Sequence, residues 1–323
     1  MPPDTMQTMI QEEARRMRAM RRLIALILVY TLVATLAAMP VAASSTSAGG
    51  ASAVFCDPGV SGAQPQVQGR GGKLREPDNA QVHRDLPASA KGRATSSFSA
   101  TVPVYFHVVT DGDAGDLSAK QISSQITVLN RTFGGREGGV TSGFTFELAG
   151  VTRTDDAVWY ASRSGGAEHD MKKSLKQGGD DALNVYSTSG GAYLGWAYLP
   201  EITDTAQAYL DGIVIDWRTV PGASDAYEGA YDRGETLTHE AGHWLNLEHT
   251  FYGACNRTGD FVDDTPAQKT PSFGCPIGKD TCPAPGTDPI HNYMDYSYDT
   301  CYTEFTAGQA QRMHDSWLLY RAS

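Results

Sequence analysis

The stretch that decides the fold lies at residues 239–249 and reads His239-Glu240-Ala241-Gly242-His243-Trp244-Leu245-Asn246-Leu247-Glu248-His249. On a helix, the pattern His-Glu-x-x-His places two imidazoles on one face, one turn apart, and puts the glutamate beside any metal that they bind. A catalytic zinc ion takes three protein ligands and keeps one position open for water. The sequence therefore needs a third ligand, and His249 is the candidate.

The position of His249 sets a condition on the backbone. On an unbroken helix His249 would lie about 9 Å further along the axis than His243 and away from the metal-facing side. The chain must therefore leave the helix after His243 and fold back. Asn246 stands where it must turn, and Asn is, after Gly, the residue that most readily adopts left-handed backbone. The sequence predicts that conformation at Asn246, and a helix continuing through it would contradict a three-ligand site.

The motif also indicates a chemistry. A zinc ion held by three neutral imidazoles stays positively charged, so it lowers the pKa of water and polarises a carbonyl group. Glu240, next to the first ligand, is predicted to take a proton from the attacking water and later to deliver it to the leaving amine. The short His-Glu-x-x-His pattern also occurs on ordinary solvated helices. The third histidine at its spacing, together with the features below, favours the metal site.

Composition bounds the class of protein. The chain has 323 residues, of which 41% are hydrophobic and 20% charged, which is typical of one large globular domain or two small ones. The formal charge of −11 and the lack of a basic stripe interleaved with aromatics argue against a nucleic-acid partner.

Residues 1–43 are predicted to be a signal peptide. An apolar run from Leu23 to Ala38 precedes the small residues Val41-Ala42-Ala43, and a basic region precedes the run, formed by Arg15, Arg16, Arg18, Arg21 and Arg22. The apolar run is too short to favour a stable membrane span, although an uncut signal anchor is the alternative. We therefore expect a secreted, extracellular protein that is not attached to a membrane after cleavage. The long basic region leaves Met17 or Met20 open as the true start.

Residues 44–98 are predicted to be a cleavable pro-segment, and residues 99–323 the catalytic domain. The segment is rich in Ser, Ala, Gly, Gln and Pro, lacks periodicity and carries basic clusters. It also holds Cys56, whose thiolate could occupy the fourth position of the zinc and keep a zymogen latent. The alternative is an unpaired or intermolecular cysteine. A latency switch predicts early self-cleavage when Cys56 is replaced by Ser.

The domain is predicted to have α+β architecture with two lobes and a cleft across the zinc. The N-terminal lobe, residues 99–248, carries the regular elements. Strands are predicted at 102–109, 144–148, 182–186 and 212–216, an edge strand or loop at 193–198, one helix with Ile122, Ile126, Leu129 and Phe133 on its apolar face, and the motif helix from about Gly234. The C-terminal lobe, residues 249–323, is rich in Pro, Gly and Cys. It ends in a helix over 306–321 with Met313, Trp317 and Leu318 on one face.

A second motif completes a resemblance. Downstream lie Asn292-Tyr293-Met294-Asp295-Tyr296 and, before it, Val262-Asp263-Asp264-Thr265-Pro266. With the extended histidine motif, they resemble the metzincin metallopeptidases and, more narrowly, the pappalysin family, over about residues 100–323. The resemblance implies a twisted mixed sheet with helices, an active-site helix and an irregular lobe tied by disulfides. It also implies a secreted zinc endopeptidase that acts on proteins or peptides, and we expect a monomer.

The resemblance assigns roles to single residues. His239, His243 and His249 would hold zinc, and Glu240 would be the general base. Met294 would form a hydrophobic floor beneath the metal, and Tyr296 would stand near the zinc and donate a hydrogen bond to the oxyanion. An ordinary core methionine and a buried tyrosine are the alternatives for these last two. Asn246 departs from the metzincin pattern, which has Gly there, and we interpret it as a tolerated substitution.

Four cysteines lie in the C-terminal quarter of the chain. Because a secreted protein meets an oxidising environment, we expect these cysteines to form two disulfides. The absence of a Cys-x-x-Cys pair argues against a zinc ribbon. Sequence alone leaves three pairings open. The resemblance implies that Cys255 pairs with Cys282 and Cys275 with Cys301.

Two weaker signals concern carboxylates of the same lobe. Asp260, Asp263, Asp264 and Thr265 crowd one loop with hard oxygen ligands, and the resemblance implies calcium there; a solvated acidic loop is the alternative. Asp299 follows the Met294 motif, where the resemblance places the wall of the pocket for the residue after the scissile bond. An acid there would favour a basic side chain, unless Asp299 is an ordinary surface residue.

Two other functions stay open at this point. A zinc exopeptidase or an amidase would use the same zinc site, since the sequence does not show the ends of the cleft. A secreted binding protein with a structural zinc is the other alternative, but it predicts the loss of Glu240, which is present.

Overall fold

The computed structural model describes residues 83–93, 97–163 and 165–322. All of them belong to the compact unit Phe55–Ser323. The predicted signal peptide, most of the predicted pro-segment and Cys56 lie outside the described residues. No helix in the described part of the chain is long and apolar enough to cross a membrane.

A five-stranded mixed sheet with helices forms the N-terminal part, so the predicted α+β class is confirmed. In chain order the elements are β1 (Ala100–Thr110), α1 (Ala119–Thr132), β2 (Phe144–Asp155), α2 (Ala157–Tyr160), α3 (Gly166–Leu175), β3 (Leu183–Thr188), β4 (Gly195–Ala197), β5 (Ile213–Asp216), α4 (Glu235–Trp244) and α5 (Ala307–Tyr320). The strand order is β2-β1-β3-β5-β4. All neighbours are parallel except β4, which pairs antiparallel with β5 at one edge.

The sheet is covered on both faces, which explains why its central strands are predicted so readily from apolar runs. Alternate residues of β1 enter the main core, where they meet α1, α4 and α5. Val109 and Val214 face the other way and pack with Met171 of α3 and Trp196 of β4. Because β4 lies at the edge beside α4, the sheet places an open strand next to the histidine motif.

The helices α2 and α3 are not predicted from the sequence, and the reason is physical. In α3 the buried positions include Glu168 and Lys172, which form an ion pair of 3.0 Å inside the protein. The indole N–H of Trp196 also donates to Glu168 over 2.8 Å. Because charged residues occupy the inward face, the helix has little of the apolar periodicity on which a sequence-based prediction depends.

The C-terminal part contains no helix or strand between His249 and Thr306, all of which the structure describes. Two disulfides tie this region, Cys255–Cys282 and Cys275–Cys301, the pairing that the resemblance implies. Each closes a loop of 26 or 27 residues. In the chain-entropy model such a loop contributes about 3–4 kcal/mol, which supports a region with so few backbone ladders.

The final helix, α5, begins and ends within one residue of its prediction. Thr306 and Gln309 form a capping box at its start, which satisfies two backbone N–H groups. Met313 and Trp317 are buried as predicted, but the placement of Leu318 on the same face is wrong, because Leu318 is 37% exposed. Arg312 is buried on the inward face instead.

Candidate active site

The helix α4 brings the histidine motif into the centre of the domain. It follows Gly234, which has a φ of 101°, a backbone conformation that glycine adopts easily and that is strained for other residues. All ten residues of α4 are buried. Leu237, Ala241 and Trp244 anchor it in the main core. The first two histidines and Glu240 are therefore held by a helix that is anchored in the core rather than by a loop.

The helix ends as the sequence predicts, at a left-handed Asn246 with φ of 79°. The N–H of Asn246 donates to the carbonyl of His243 over 2.8 Å, and the N–H of Leu247 donates to the carbonyl of Gly242 over 2.9 Å. These two bonds form a Schellman motif, which satisfies carbonyls at the helix end and reverses the chain. The reversal carries His249 back towards the helix.

The three histidines come together at their Nε2 atoms. Nε2 of His243 lies 3.2 Å from that of His239 and 3.1 Å from that of His249. A tetrahedral zinc ion, with Zn–N distances of about 2.0–2.1 Å, holds its ligand nitrogens about 3.3 Å apart. The three imidazoles therefore fit a zinc ion. A further group in the described residues, Cys275, His291 and Cys301, does not offer free thiolates, since its cysteines form a disulfide.

Two of the rings are oriented by backbone carbonyls. Nδ1 of His239 lies 2.6 Å from the carbonyl oxygen of Tyr293, and Nδ1 of His243 lies 2.7 Å from that of Leu247. A carbonyl oxygen only accepts, so each Nδ1 must carry the proton. Each Nε2 therefore presents its lone pair to the metal position, which is the tautomer that a ligand needs. Phe251 stacks on the ring of His249, with their centroids 4.7 Å apart.

Glu240 is buried against the edge strand of the sheet. A Cβ atom added to Gly195, the first residue of β4, would come within 3.1 Å of both Cγ and Oε1 of Glu240. Glycine at this position leaves room for the carboxylate beside this strand, and a larger residue would press on it. Gly195 is not predictable as a site residue, because no local pattern connects it to Glu240, 45 positions away.

Met294 and Tyr296 lie at the histidine cluster. Met294 is fully buried, and a Cβ atom on Gly242 would come within 2.3 Å of its Sδ atom. The glycine inside the histidine motif therefore makes space for the methionine, a role the sequence analysis also misses. The ring centroid of Tyr296 lies 4.9 Å from that of His249 and 5.7 Å from that of His239. Its phenol thus stands near the metal position.

Asp295 is a further residue that the sequence analysis misses. Its carboxylate is fully buried and accepts from the N–H groups of Ser272 and Tyr296, each over 2.8 Å, and from Gln268 over 2.9 Å. Gln268 in turn accepts from the hydroxyl of Thr250, next to His249. Through Gln268 and Thr250, Asp295 therefore connects the turn of Met294 and Tyr296 to the segment that carries His249.

The chain is similar in sequence to proteins of one known family. A family model described as "Pregnancy-associated plasma protein-A" matches residues 223–317. An extracellular metalloprotease of Arthroderma benhamiae is 45% identical over 234 residues, which cover 71% of this chain and 76% of that protein. An extracellular metalloprotease of Pyricularia oryzae is 46% identical over 245 residues, which cover 74% of this chain and 82% of that protein.

The chain belongs to the pappalysin family. The suspected resemblance is thereby confirmed, and this pappalysin is a metalloprotease. Among solved structures, it is similar to mature mirolysin of Tannerella forsythia in complex with a cleaved peptide. The match has a TM-score of 0.58 and 31% identity, and it covers 67% of this chain and 91% of mirolysin.

In this pappalysin Asn246 is more than a substitute for Gly. Its side-chain oxygen accepts from Nη2 of Arg312 over 2.6 Å, and its carbonyl accepts from Nε of Arg312 over 2.7 Å. Its amide lies 3.4 Å from the carboxylate of Glu201. Asn246 therefore connects the end of α4 to α5. The sequence analysis misses Arg312, which stands 66 residues away on the final helix.

The predicted calcium residues do not act as one group. Asp264 accepts from Thr306 Oγ1 over 2.6 Å and from the N–H of Gly308 over 2.8 Å, so it caps α5. Asp263 is exposed. Asp260 is buried and accepts from Thr265 Oγ1 over 2.7 Å, while its Oδ2 atom has no hydrogen-bond partner. Burial raises the pKa of Asp260 to about 7.

Asp299 is buried near the start of α4. Its carboxylate accepts from the N–H of Arg233 over 2.9 Å, and its own N–H donates to the carbonyl of Ala230. Glu235 lies beside it, and burial raises the pKa of Glu235 above its usual range. Asp299 is therefore not an ordinary exposed residue, and its contacts fix the loop that leads into the histidine helix.

We predict that replacing Asn246 by Gly destabilises the protein. Glycine adopts the left-handed backbone more easily, but the variant loses an acceptor for the buried Arg312, and hydrogen bonds to charged groups are worth about 1.5–3 kcal/mol. The net loss in the free energy of unfolding should be about 1 kcal/mol, measured by denaturant titration. Asn246→Ala should lose more, because it also keeps the backbone cost. A Gly variant more stable than the wild type would contradict the role of Arg312.

Proposed function

We propose that this pappalysin is a secreted zinc endopeptidase that hydrolyses peptide bonds. The observation that carries the proposal is the cluster of three Nε2 atoms, in which that of His243 lies 3.2 Å from that of His239 and 3.1 Å from that of His249. Glu240 lies on the helix that carries His239 and His243. The extracellular names of the relatives support secretion. The cleaved peptide in the complex of mirolysin supports a peptide substrate.

The residues divide the chemistry among them. A zinc ion, when bound by His239, His243 and His249, supplies a Lewis acid that acidifies water and polarises the scissile carbonyl. Glu240 takes the proton from the attacking water and delivers it to the amine nitrogen as the carbon–nitrogen bond breaks. Tyr296 donates a hydrogen bond from its phenol to the carbonyl oxygen as negative charge develops there. The carbonyls of Tyr293 and Leu247 keep the histidine rings in place throughout.

Glu240→Gln should reduce peptide hydrolysis at least 100-fold, because the amide cannot accept the proton, and general base catalysis contributes about 10²–10⁴-fold. The assay uses unfolded casein and a peptide blocked at both ends, with and without a zinc chelator. The blocked peptide separates an endopeptidase from an exopeptidase. The zinc content of the variant, measured by atomic absorption, should match the wild type. Equal activity of the two proteins would end the proposal.

We further propose that Asp299 favours a basic residue after the scissile bond. Its burial beside the start of α4 suits a charge at the bottom of a pocket rather than at its rim. The pairing of Asp299 with a cationic side chain would add a charge-assisted interaction.

Asp299→Asn should reduce the preference for Lys or Arg over Met at that position about tenfold, measured as a ratio of kcat/KM on matched peptides. Asparagine keeps an oxygen that can accept from Arg233, so the melting temperature should change little. Asp225→Asn, an exposed position with the same chemical change, serves as the control. An unchanged ratio would leave Asp299 with the structural role alone.

We also propose that Asp260 binds calcium, with Thr265 beside it. A buried carboxylate oxygen without a hydrogen-bond partner is costly, and a hard cation would offset that cost. Asp264 belongs to the cap of α5, so backbone carbonyls and water would have to complete the coordination. Asp263 is exposed, so it would reach the calcium ion only from the solvent side.

Calcium at 10 mM should raise the melting temperature of the wild type by about 5 °C, which corresponds to a site with a Kd of about 10⁻⁴ M. Asp260→Asn should abolish this shift, because the neutral amide loses the charge that attracts the cation. Asp280→Asn, on the exposed surface of the same region, should keep it. A shift of the same size in Asp260→Asn would refute the site.

The N-terminal processing stays part of the proposal. The predicted signal peptide at 1–43 and the latency role of Cys56 concern residues outside those that the structure describes. Early self-cleavage of a Cys56→Ser variant would support the latency switch, and an equally stable zymogen would count against it.

A further inference from the structure

The segment from His83 to Arg93 lies against the turn that carries the third histidine. Nδ1 of His83 donates to the carboxylate of Glu248 over 2.7 Å, and its ring stacks on Tyr252, with centroids 5.2 Å apart. Glu248 is buried and directly precedes His249. The segment therefore contacts the turn on both sides of the third ligand.

A second contact joins the segment to the end of α4 through Arg312. This guanidinium, 5% exposed, donates to the carbonyl and the side chain of Asn246. Its Nη1 donates to the carboxylate of Asp85 over 3.0 Å, and its Nη2 lies 3.3 Å from the carbonyl of Arg84. Arg312 thus donates hydrogen bonds to Asn246 and to the segment at the same time.

The segment supplies a partner of complementary charge to each of two buried groups beside the turn. Asp85 is the ion-pair partner of Arg312 at 3.0 Å, and a buried guanidinium without a carboxylate is costly. In the same way, the buried carboxylate of Glu248 has His83 as a partner. Removing the segment would leave an arginine and a glutamate, both buried beside the turn, without these partners.

The segment is also anchored beyond this turn, so its contacts are not those of a loosely attached tail. Leu86 and Ala90 are buried. The carboxylate of Asp315, on α5, accepts from the N–H groups of Gly92 and Arg93 over 2.6 and 2.9 Å. Both ends of the segment are thus fixed to the catalytic domain.

We propose that residues 83–93 are a permanent brace of the zinc-binding turn, and that maturation leaves them on the enzyme. The bond that is cut lies before His83, which moves the start of the mature domain upstream from residue 99. Asp85 and His83 are positioning residues: they act on His249 through Arg312, Asn246 and Glu248. The proposal rests on the proposed function in so far as the turn holds zinc.

The first test determines where the mature enzyme begins. The full chain is expressed and secreted, and the mature protein is examined by N-terminal sequencing and intact mass. The mature chain should start at or before His83. A start at any residue after His83 would overturn the proposal. The readout is the position of the cut rather than a rate of hydrolysis, so a start after His83 would overturn the brace and leave the proposed function intact.

The second test measures how firmly zinc is held. Asp85→Asn should speed the transfer of zinc to a colorimetric chelator about tenfold, because partners that orient metal ligands typically change metal affinity by 10- to 100-fold. Asp85→Glu, which keeps the charge, should restore most of the wild-type rate. Asp113→Asn, an exposed position, is the control. The side chain of Asp85 is 38% exposed, so the variant should fold, which its melting temperature verifies.

The outcomes separate the two ideas. A wild-type enzyme that contains zinc, with equal release rates in wild type and Asp85→Asn, overturns the brace and leaves the proposed function intact. A folded wild type that binds no zinc overturns both. Faster release in Asp85→Asn and Asp113→Asn alike would show a general loss of stability and also overturn the brace.

Discussion

The reversal of the chain at Asn246 is the constraint on which the site depends. Helical periodicity places His239 and His243 on one face, but His249 lies six residues further and reaches the same point only if the helix stops. The left-handed residue and its two backbone hydrogen bonds stop it. Arg312 donates hydrogen bonds to the side chain and to the carbonyl of Asn246. The left-handed turn is therefore bonded to α5, the helix at the end of the chain.

Around this turn, backbone carbonyl groups and glycine residues shape the site as much as the functional side chains do. Carbonyls of Tyr293 and Leu247 fix two of the imidazoles. Gly242 and Gly195 leave room for Met294 and for Glu240. Buried Asp295 ties the methionine turn to the segment of His249 through Gln268 and Thr250. Segments that are far apart in sequence thus share one hydrogen-bonded frame around the three histidines.

The fold shows the same division between what patterns reveal and what contacts decide. The strands β1, β3 and β5 were predictable to within a residue or two, because their buried residues form apolar runs. In contrast, α3 buries the ion pair of Glu168 and Lys172, and a helix with charges on its inner face has no apolar stripe to read. Leu318 was misplaced for the opposite reason: an apolar residue at helical spacing lies at the surface, while Arg312 takes the buried position.

The sequence by itself predicted three histidine ligands and a general base, and it determined the need for a left-handed residue at Asn246 and the family resemblance. Those features lie within short stretches, where helical geometry relates one residue to the next. Only the tertiary structure decided which groups orient the ligands, where glycine is required and which charges meet behind the turn. Most of these depend on contacts between segments far apart in sequence, as between Gly195 and Glu240 or Asp85 and Arg312, and often on carbonyl groups that every residue has. No local pattern encodes such contacts, because packing between distant segments selects them.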